Sequence, residues 1–181
     1  FYGGFRNRFA NGIGWDLGKG KRIMSAADSP AANPGDTALY ALFDPRTGQP
    51  RYIGQTVQPS ERFVEHIEEF NTKGFSGPKT RWEAELFREG TYPQMQVFDW
   101  QPGGTTQEGI TDNVDLHEQA WIGYLYYVKG NATNTAVPSY ANWQAILQQL
   151  GMTEAQMGEA MAQWPTNMET VQLASMPDIN R

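Results

Sequence analysis

The chain of 181 residues has no cysteine, which excludes disulfides and thiolate-bound zinc. It has no apolar run long enough for a membrane-spanning helix. Charge is scarce as well. Only 19% of residues are Asp, Glu, Lys or Arg, and their balance of −6 argues against a general polyanion binder. Phosphate-loop signatures are missing, because neither G-x-G-x-x-G nor G-x-x-x-x-G-K-[ST] fits "NGIGWDLGKGK". There is no internal repeat and no signal-peptide pattern. The first residue is Phe1 rather than Met, the start expected of a processed product or a fragment. What remains is the composition of an ordinary soluble domain, 39% hydrophobic, long enough for one real core with appendages.

Nineteen glycines and eleven prolines point to many loops. Residues 1–36 read as an irregular arm, rich in Gly, Asn, Ser and Pro, with scattered aromatics and no sustained period. Within its residues 1–22, Arg6, Arg8, Lys19, Lys21 and Arg22 stand against Asp16 alone, a local charge of +4 on an acidic chain. Such a segment is either a phosphate-binding arm or a terminus of solvated charges, and composition leaves both open.

Beyond the arm the patterns are regular. "TALYALF" alternates as a strand, with Leu39, Ala41 and Phe43 on one side and Tyr40 and Leu42 on the other. The turn signals of "DPRTGQP" lead to a second strand, "RYIGQT", with Ile53 and Tyr52 on opposite faces, so the two form a β-hairpin. A helix follows from about Pro59, its stripe carried by Phe63, Ile67 and Phe70. Thr80 and Glu83 suit a capping box opening "RWEAELFREG", which Gly90 closes. "QMQVFDW" is a third strand. The helix "VDLHEQAWIGYLYYVKG" then places Trp121, Ile122, Leu125 and Val128 along a buried stripe. The order β-β-α-α-β-α makes this an α+β domain. "ANWQAILQQL", ended by Gly151, and "EAQMGEAMAQW", opened by a Thr153–Gln156 capping box and followed by Pro165, add a helical hairpin. Its Met and Ala content favours packing on the core over a partner surface.

Chemistry concentrates in residues 38–70. Arg62 and His66, four apart, share one helix face at the margin of the Phe63/Ile67 stripe. If that helix packs on the tyrosine face of the hairpin, two phenols, a guanidinium and an imidazole converge. The set suits phosphodiester hydrolysis, which needs a cation against transition-state charge and a proton acceptor for water. Glu118, one turn before Trp121 and Ile122, is the candidate metal ligand. A carboxylate on an apolar face is costly unless paired or coordinated, and a hard cation such as Mg²⁺ would take it. Each residue also has an ordinary reading. Strand tyrosines pack, Arg62 pairs with Glu65 or Glu69 on the surface, and Glu118 completes a capping box begun by Asp115.

Taken in order, these motifs resemble the GIY-YIG endonucleases. "ALY…RYIG" resembles the paired motif of that family, "RFVEH" its Arg-x-x-x-His, and "LHEQAWIGYL" the helix with its metal-binding glutamate. "WEAELFREGTYPQMQVF" is similar to the second helix and third strand, so the likeness covers about residues 37–130. The resemblance implies a small three-stranded antiparallel sheet flanked by helices and a Mg²⁺-dependent endonuclease, with Mn²⁺ as an alternative ion. It implies DNA as substrate, with RNA left open. By the same analogy Tyr40 activates or positions water, Tyr52 and His66 orient phosphate and relay the proton, Arg62 holds the scissile phosphate, and Glu118 holds the metal. A free phenol titrates near pH 10, so Tyr40 as a base needs help. The first motif departs from the family, reading Ala38-Leu39-Tyr40 in place of Gly-Ile-Tyr. Asn131 and Asn134 both fit the asparagine that often follows the glutamate helix.

The expected organisation is thus a basic aromatic arm over 1–36, a nuclease-like domain over 37–135, and a helical extension over 136–181. Two rivals stay open: a non-catalytic nucleic-acid-binding or interaction module on the same fold, and a nuclease toxin domain released from a larger protein.

Overall fold

The computed structural model describes residues 23–24, 36–73, 76–101, 113–167 and 169–171. The five arm cations expected to bind substrate lie outside the described residues. Among those described, strands are β1 (Ile23–Met24), β2 (Thr37–Phe43), β3 (Pro50–Thr56), β4 (Gln94–Gln101) and β5 (Glu169–Val171). Helices are α1 (Pro59–Lys73), α2 (Pro78–Arg88), α3 (Asn113–Gly123), α4 (Tyr140–Leu150) and α5 (Glu154–Asn167).

The expected hairpin forms. β2 and β3 pair antiparallel with Tyr40 opposite Gly54 and Leu42 opposite Tyr52. Asp44 organises the turn, accepting from Arg46 N at 2.8 Å and, through its carbonyl, from Gly48 N at 2.7 Å. β4 pairs antiparallel along the other edge of β2. These are the three strands expected, but the sheet is wider: its order is β1-β5-β4-β2-β3, with β5 antiparallel to β4 and β1 parallel to β5. The class is α+β, as the patterns imply. In the β2–β4 register Leu39 pairs with Asp99 and Tyr40 with Val97, leaving Phe98 as the extra residue of a bulge. The bulge explains why Val97 and Trp100 pack on one face and Phe98 on the other.

Helices cover both faces. Leu39, Ala41, Ile53 and Phe98 pack against Trp121, Trp143 and Trp164 of α3, α4 and α5. Ala38, Tyr40, Leu42 and Val97 pack against Phe63 and Ile67 of α1 and Trp82 and Leu86 of α2. The C-terminal hairpin is therefore integral to the main core. Its expected capping box is present, with Gln156 N donating to Thr153 Oγ1 at 3.1 Å and Thr153 N to Gln156 Oε1 at 3.0 Å. Gly123 lets α4 approach α3, since a Cβ there would stand 2.5 Å from Trp143 Cγ.

Two expectations are corrected. α2 begins at Pro78, not after Thr80: Gly77 N donates to Thr80 Oγ1 at 3.1 Å, so Thr80 is the third residue inside the helix and Glu83 has no cap to serve. Val128 is 44% exposed rather than part of a buried stripe. The cause is a π-helical stretch over Tyr124–Lys129. Its i→i+5 bonds fit more residues into each turn, so the apolar stripe slides off the core after Leu125.

Candidate functional site

The hairpin register sets the site. Tyr40 lies across the strand from Gly54, and its ring occupies the space a side chain would take: a Cβ at Gly54 would stand 2.5 Å from Tyr40 Cζ. Tyr52 lies beside it, ring centroids 6.4 Å apart. α1 crosses this face and brings His66 edge-on to both rings, at 5.6 Å from Tyr40 and 5.2 Å from Tyr52. His66 Nε2 and Tyr40 Oη share a hydrogen bond of 2.5 Å. The convergence expected from the Arg62–His66 spacing is present for all four groups. Arg62 adds its charge to both phenols, although its Nη1 also pairs with Glu65 Oε1 at 2.8 Å on the surface.

Behind His66 lies a cluster that sequence reasoning missed. Lys79 of α2 places Nζ 2.8 Å from His66 Nδ1 and 3.2 Å from Glu83 Oε2, pairs with Glu69 Oε2, and lies 4.9 Å over the Tyr52 ring. His66, Lys79 and Glu83 are all buried. The ligand-type atoms of His66, Glu69 and Glu83 lie within 4.8 Å of one another, a spacing that suits a cation. The ammonium of Lys79 is the cation that fills it. A signal for this cluster exists in the sequence. Lys79, Trp82, Glu83 and Leu86 occupy i, i+3, i+4 and i+7 of one helix, so two opposite charges sit at core positions of an apolar stripe.

These groups open onto a pocket of about 360 Å³. Tyr52, Arg62, Glu69 and Lys79 line one part of it; Glu118, Thr133 and Asn134 line another. Tyr40 and His66 are not in the lining and stand one layer behind it, Tyr40 only 1% exposed. Glu118 is half-buried at the pocket wall, not alone on an apolar stripe: Gln55 Nε2 of β3 donates to Glu118 Oε1 at 3.0 Å and to Asp115 Oδ1 at 2.6 Å. The cap reading of Glu118 also fails, because α3 starts at Asn113 and Asp115 is already within its first turn. Asn134 is at the site and Asn131 is not. Ile53 N donates to Asn134 Oδ1 at 3.1 Å and Asn134 Nδ2 to Ile53 O at 2.9 Å, while Asn131 is held through its backbone. Together with Thr133, whose N donates to Arg51 O at 2.7 Å, this segment covers the free edge of β3 and carries Asn134 to the pocket.

Burial dominates the electrostatics. It pushes His66 down to about 3, opposed by the Glu69 carboxylate and reinforced by the charges of Lys79 and Arg62, so the ring is neutral at pH 7. It raises Tyr40 well above the phenol range, with Tyr52 adding and Arg62 opposing. Tyr52 is raised by burial against the pull of Arg62. Glu118 is raised by burial, with the Gln55 bond opposing and Asp115 adding. The arrangement thus offers a cation and a phenol facing an anion-sized pocket, and a carboxylate whose charge a bound cation would stabilise. Compared with known proteins, the chain matches no family model, no curated protein and no solved structure.

Proposed function

We propose that the chain is a Mg²⁺-dependent endonuclease of the GIY-YIG kind, hydrolysing phosphodiester bonds of DNA at this pocket. The observation that carries the reading is the placement of Tyr52, Arg62 and Glu118 around one cavity, with Tyr40 and His66 joined to each other one layer behind it. Arg62 is the group for the scissile phosphate. Its pair with Glu65 joins side chains 35% and 63% exposed, and such surface pairs are worth about 0–1 kcal/mol. Exchanging that carboxylate for a bidentate phosphate therefore costs little. Tyr52 is the phenol in the lining and donates to a phosphate oxygen. Tyr40 stands one layer behind the lining, where the charge of Arg62 acts on its phenol.

Glu118 would hold the metal. Its environment fits a hard cation: a half-buried carboxylate with one oxygen fixed by Gln55, in a pocket also lined by Thr133, Asn134 and Thr135. Mg²⁺, or Mn²⁺ in its place, supplies charge neutralisation at phosphate and a more acidic water. The arm cations, which lie outside the described residues, would add phosphate affinity without taking part in bond cleavage.

The test is nicking of supercoiled plasmid in Mg²⁺ and in EDTA, with single-stranded RNA in parallel. Open-circular DNA formed in Mg²⁺ alone is the expected result. Plasmid left supercoiled at micromolar protein in both buffers overturns the reading. A non-catalytic nucleic-acid module on the same fold is favoured by one observation, the burial of Tyr40. Its signature is plasmid binding without nicking.

A further inference from the structure

We propose that Lys79 is a positioning residue: it donates to His66 Nδ1 and thereby fixes the imidazole tautomer whose Nε2–H donates to Tyr40 Oη. The count of hydrogens at Lys79 and His66 fixes the direction of both bonds. An ammonium has three hydrogens and no lone pair, so at 2.8 Å from Nδ1 it is the donor and Nδ1 the acceptor. A neutral imidazole has one ring N–H, which is then on Nε2. That nitrogen is 2.5 Å from Tyr40 Oη, so the phenol oxygen accepts. The opposite tautomer would need an acceptor at Nδ1. The nearest carboxylate oxygen, Glu69 Oε2, is 3.7 Å away, beyond hydrogen-bond distance.

The remaining ammonium hydrogens face Glu69 and Glu83, which hold Lys79 in place from two sides. Burying such a triad gains little stability over an apolar core of equal volume. Two of its members occupy stripe positions of α2 where apolar residues would serve the fold as well. What the triad adds is a fixed donor aimed at one imidazole nitrogen. His66 then serves Tyr40 as a hydrogen-bond donor, stabilising negative charge on the phenol oxygen, and not as the acceptor of its proton. The hydroxyl hydrogen of Tyr40 is left to point away from His66. The catalytic consequence rests on the proposed nuclease reading; the tautomer does not.

The experiment is a long-range proton–nitrogen correlation spectrum of protein labelled with ¹⁵N-histidine at pH 7. The chain has two histidines, His66 and His117, and His66→Gln assigns the signals. The expected pattern for His66 is an unprotonated Nδ1 and a protonated Nε2. Lys79→Gln, which retains an N–H donor, should keep that pattern. Lys79→Met combined with Glu83→Leu removes the donor, leaves no unpaired charge on the α2 stripe, and should move the hydrogen to Nδ1. The same double variant should lower kcat about 10–100-fold with KM within about threefold, and Lys79→Gln should fall between it and the wild type. A protonated Nδ1 in the wild type, or an unchanged tautomer in the double variant, overturns the proposal. The expected tautomer in a protein that never nicks DNA would instead overturn the nuclease reading alone.

Discussion

Residues one position apart on β2 enter two kinds of interior. Leu39 and Ala41 face a layer closed by tryptophans, where Phe98 stacks on Trp164 at 4.4 Å and meets Trp121 edge-on at 5.6 Å. Tyr40 faces a layer where an imidazole, an ammonium and carboxylates are buried beside Trp82 and Ile67. The first layer asks only for shape and apolar area, because hydrophobic burial is non-directional. The second asks for donors matched to acceptors, because an unmatched buried polar group costs about 1–3 kcal/mol. One sheet therefore has an apolar interior on one face and titratable groups buried within an apolar core on the other, while Glu118 reaches the pocket from α3 on the tryptophan side.

The widest break in that contrast should come from the apolar face. Trp121→Ala removes a fully buried indole in contact with Phe98, Trp164 and Tyr124. The expected cost is about 3–5 kcal/mol of unfolding free energy, read by urea denaturation. A loss below about 1 kcal/mol would show that the tryptophan layer does not hold the domain together.

Arg62→Ala should do the reverse, leaving stability within about 1 kcal/mol while kcat falls roughly 10²–10³-fold. Arg62→Lys should restore only part of the loss, since an ammonium lacks the bidentate fork. Full activity in the lysine variant would remove the bidentate role.

How far each face can be read from the sequence differs for the same reason. The apolar face is plain in the alternation of Leu39, Ala41, Phe43 and Ile53, and in the helical spacing of Trp121, Ile122 and Leu125. The reading fails at Val128, where a π-helical turn changes the period with no residue that announces it. β1 and β5, of two and three residues, are too short to show any period. On the polar face Tyr40, Tyr52, Arg62 and His66 are legible because local spacing places them together. Lys79 and Glu83 show only as charges at stripe positions of α2; their burial against His66 is not legible, because an i, i+4 Lys–Glu pair resembles an ordinary surface pair until the helix is docked. Glu118 is legible as a residue but not in its setting, since Gln55 arrives from a strand 63 positions away.

Gly54→Ala tests the seam between the faces. The added Cβ collides with the Tyr40 ring, so the phenol must leave its bond to His66 or the strands must part. A stability loss of about 1–3 kcal/mol is expected, together with loss of nicking. Wild-type nicking in this variant would show that the position of Tyr40 is immaterial.

The smallest effect is a slope. His66 titrates near 6.5 in the unfolded chain and about 3 when folded, so between those values the unfolded state binds the extra proton. Stability should therefore fall as pH drops from 6.5 towards 3, by at most about 1.4 kcal/mol per unit from this group, with no contribution above 6.5. Urea midpoints of wild type and His66→Phe, compared from pH 7 to pH 5, isolate it. Parallel pH profiles for the two proteins would mean that His66 is not held neutral.

The most direct measurement is the nicking rate of Glu118→Gln beside the wild type across a Mg²⁺ titration. The variant keeps side-chain size and an oxygen that can accept from Gln55, but loses the charge for the metal. Nicking should collapse at every Mg²⁺ concentration, while plasmid binding persists and the metal-free melting temperature is equal to or above that of the wild type. Nicking by Glu118→Gln at the wild-type rate under limiting Mg²⁺ would contradict the assignment of this pocket as a metal-dependent nuclease site built on Glu118.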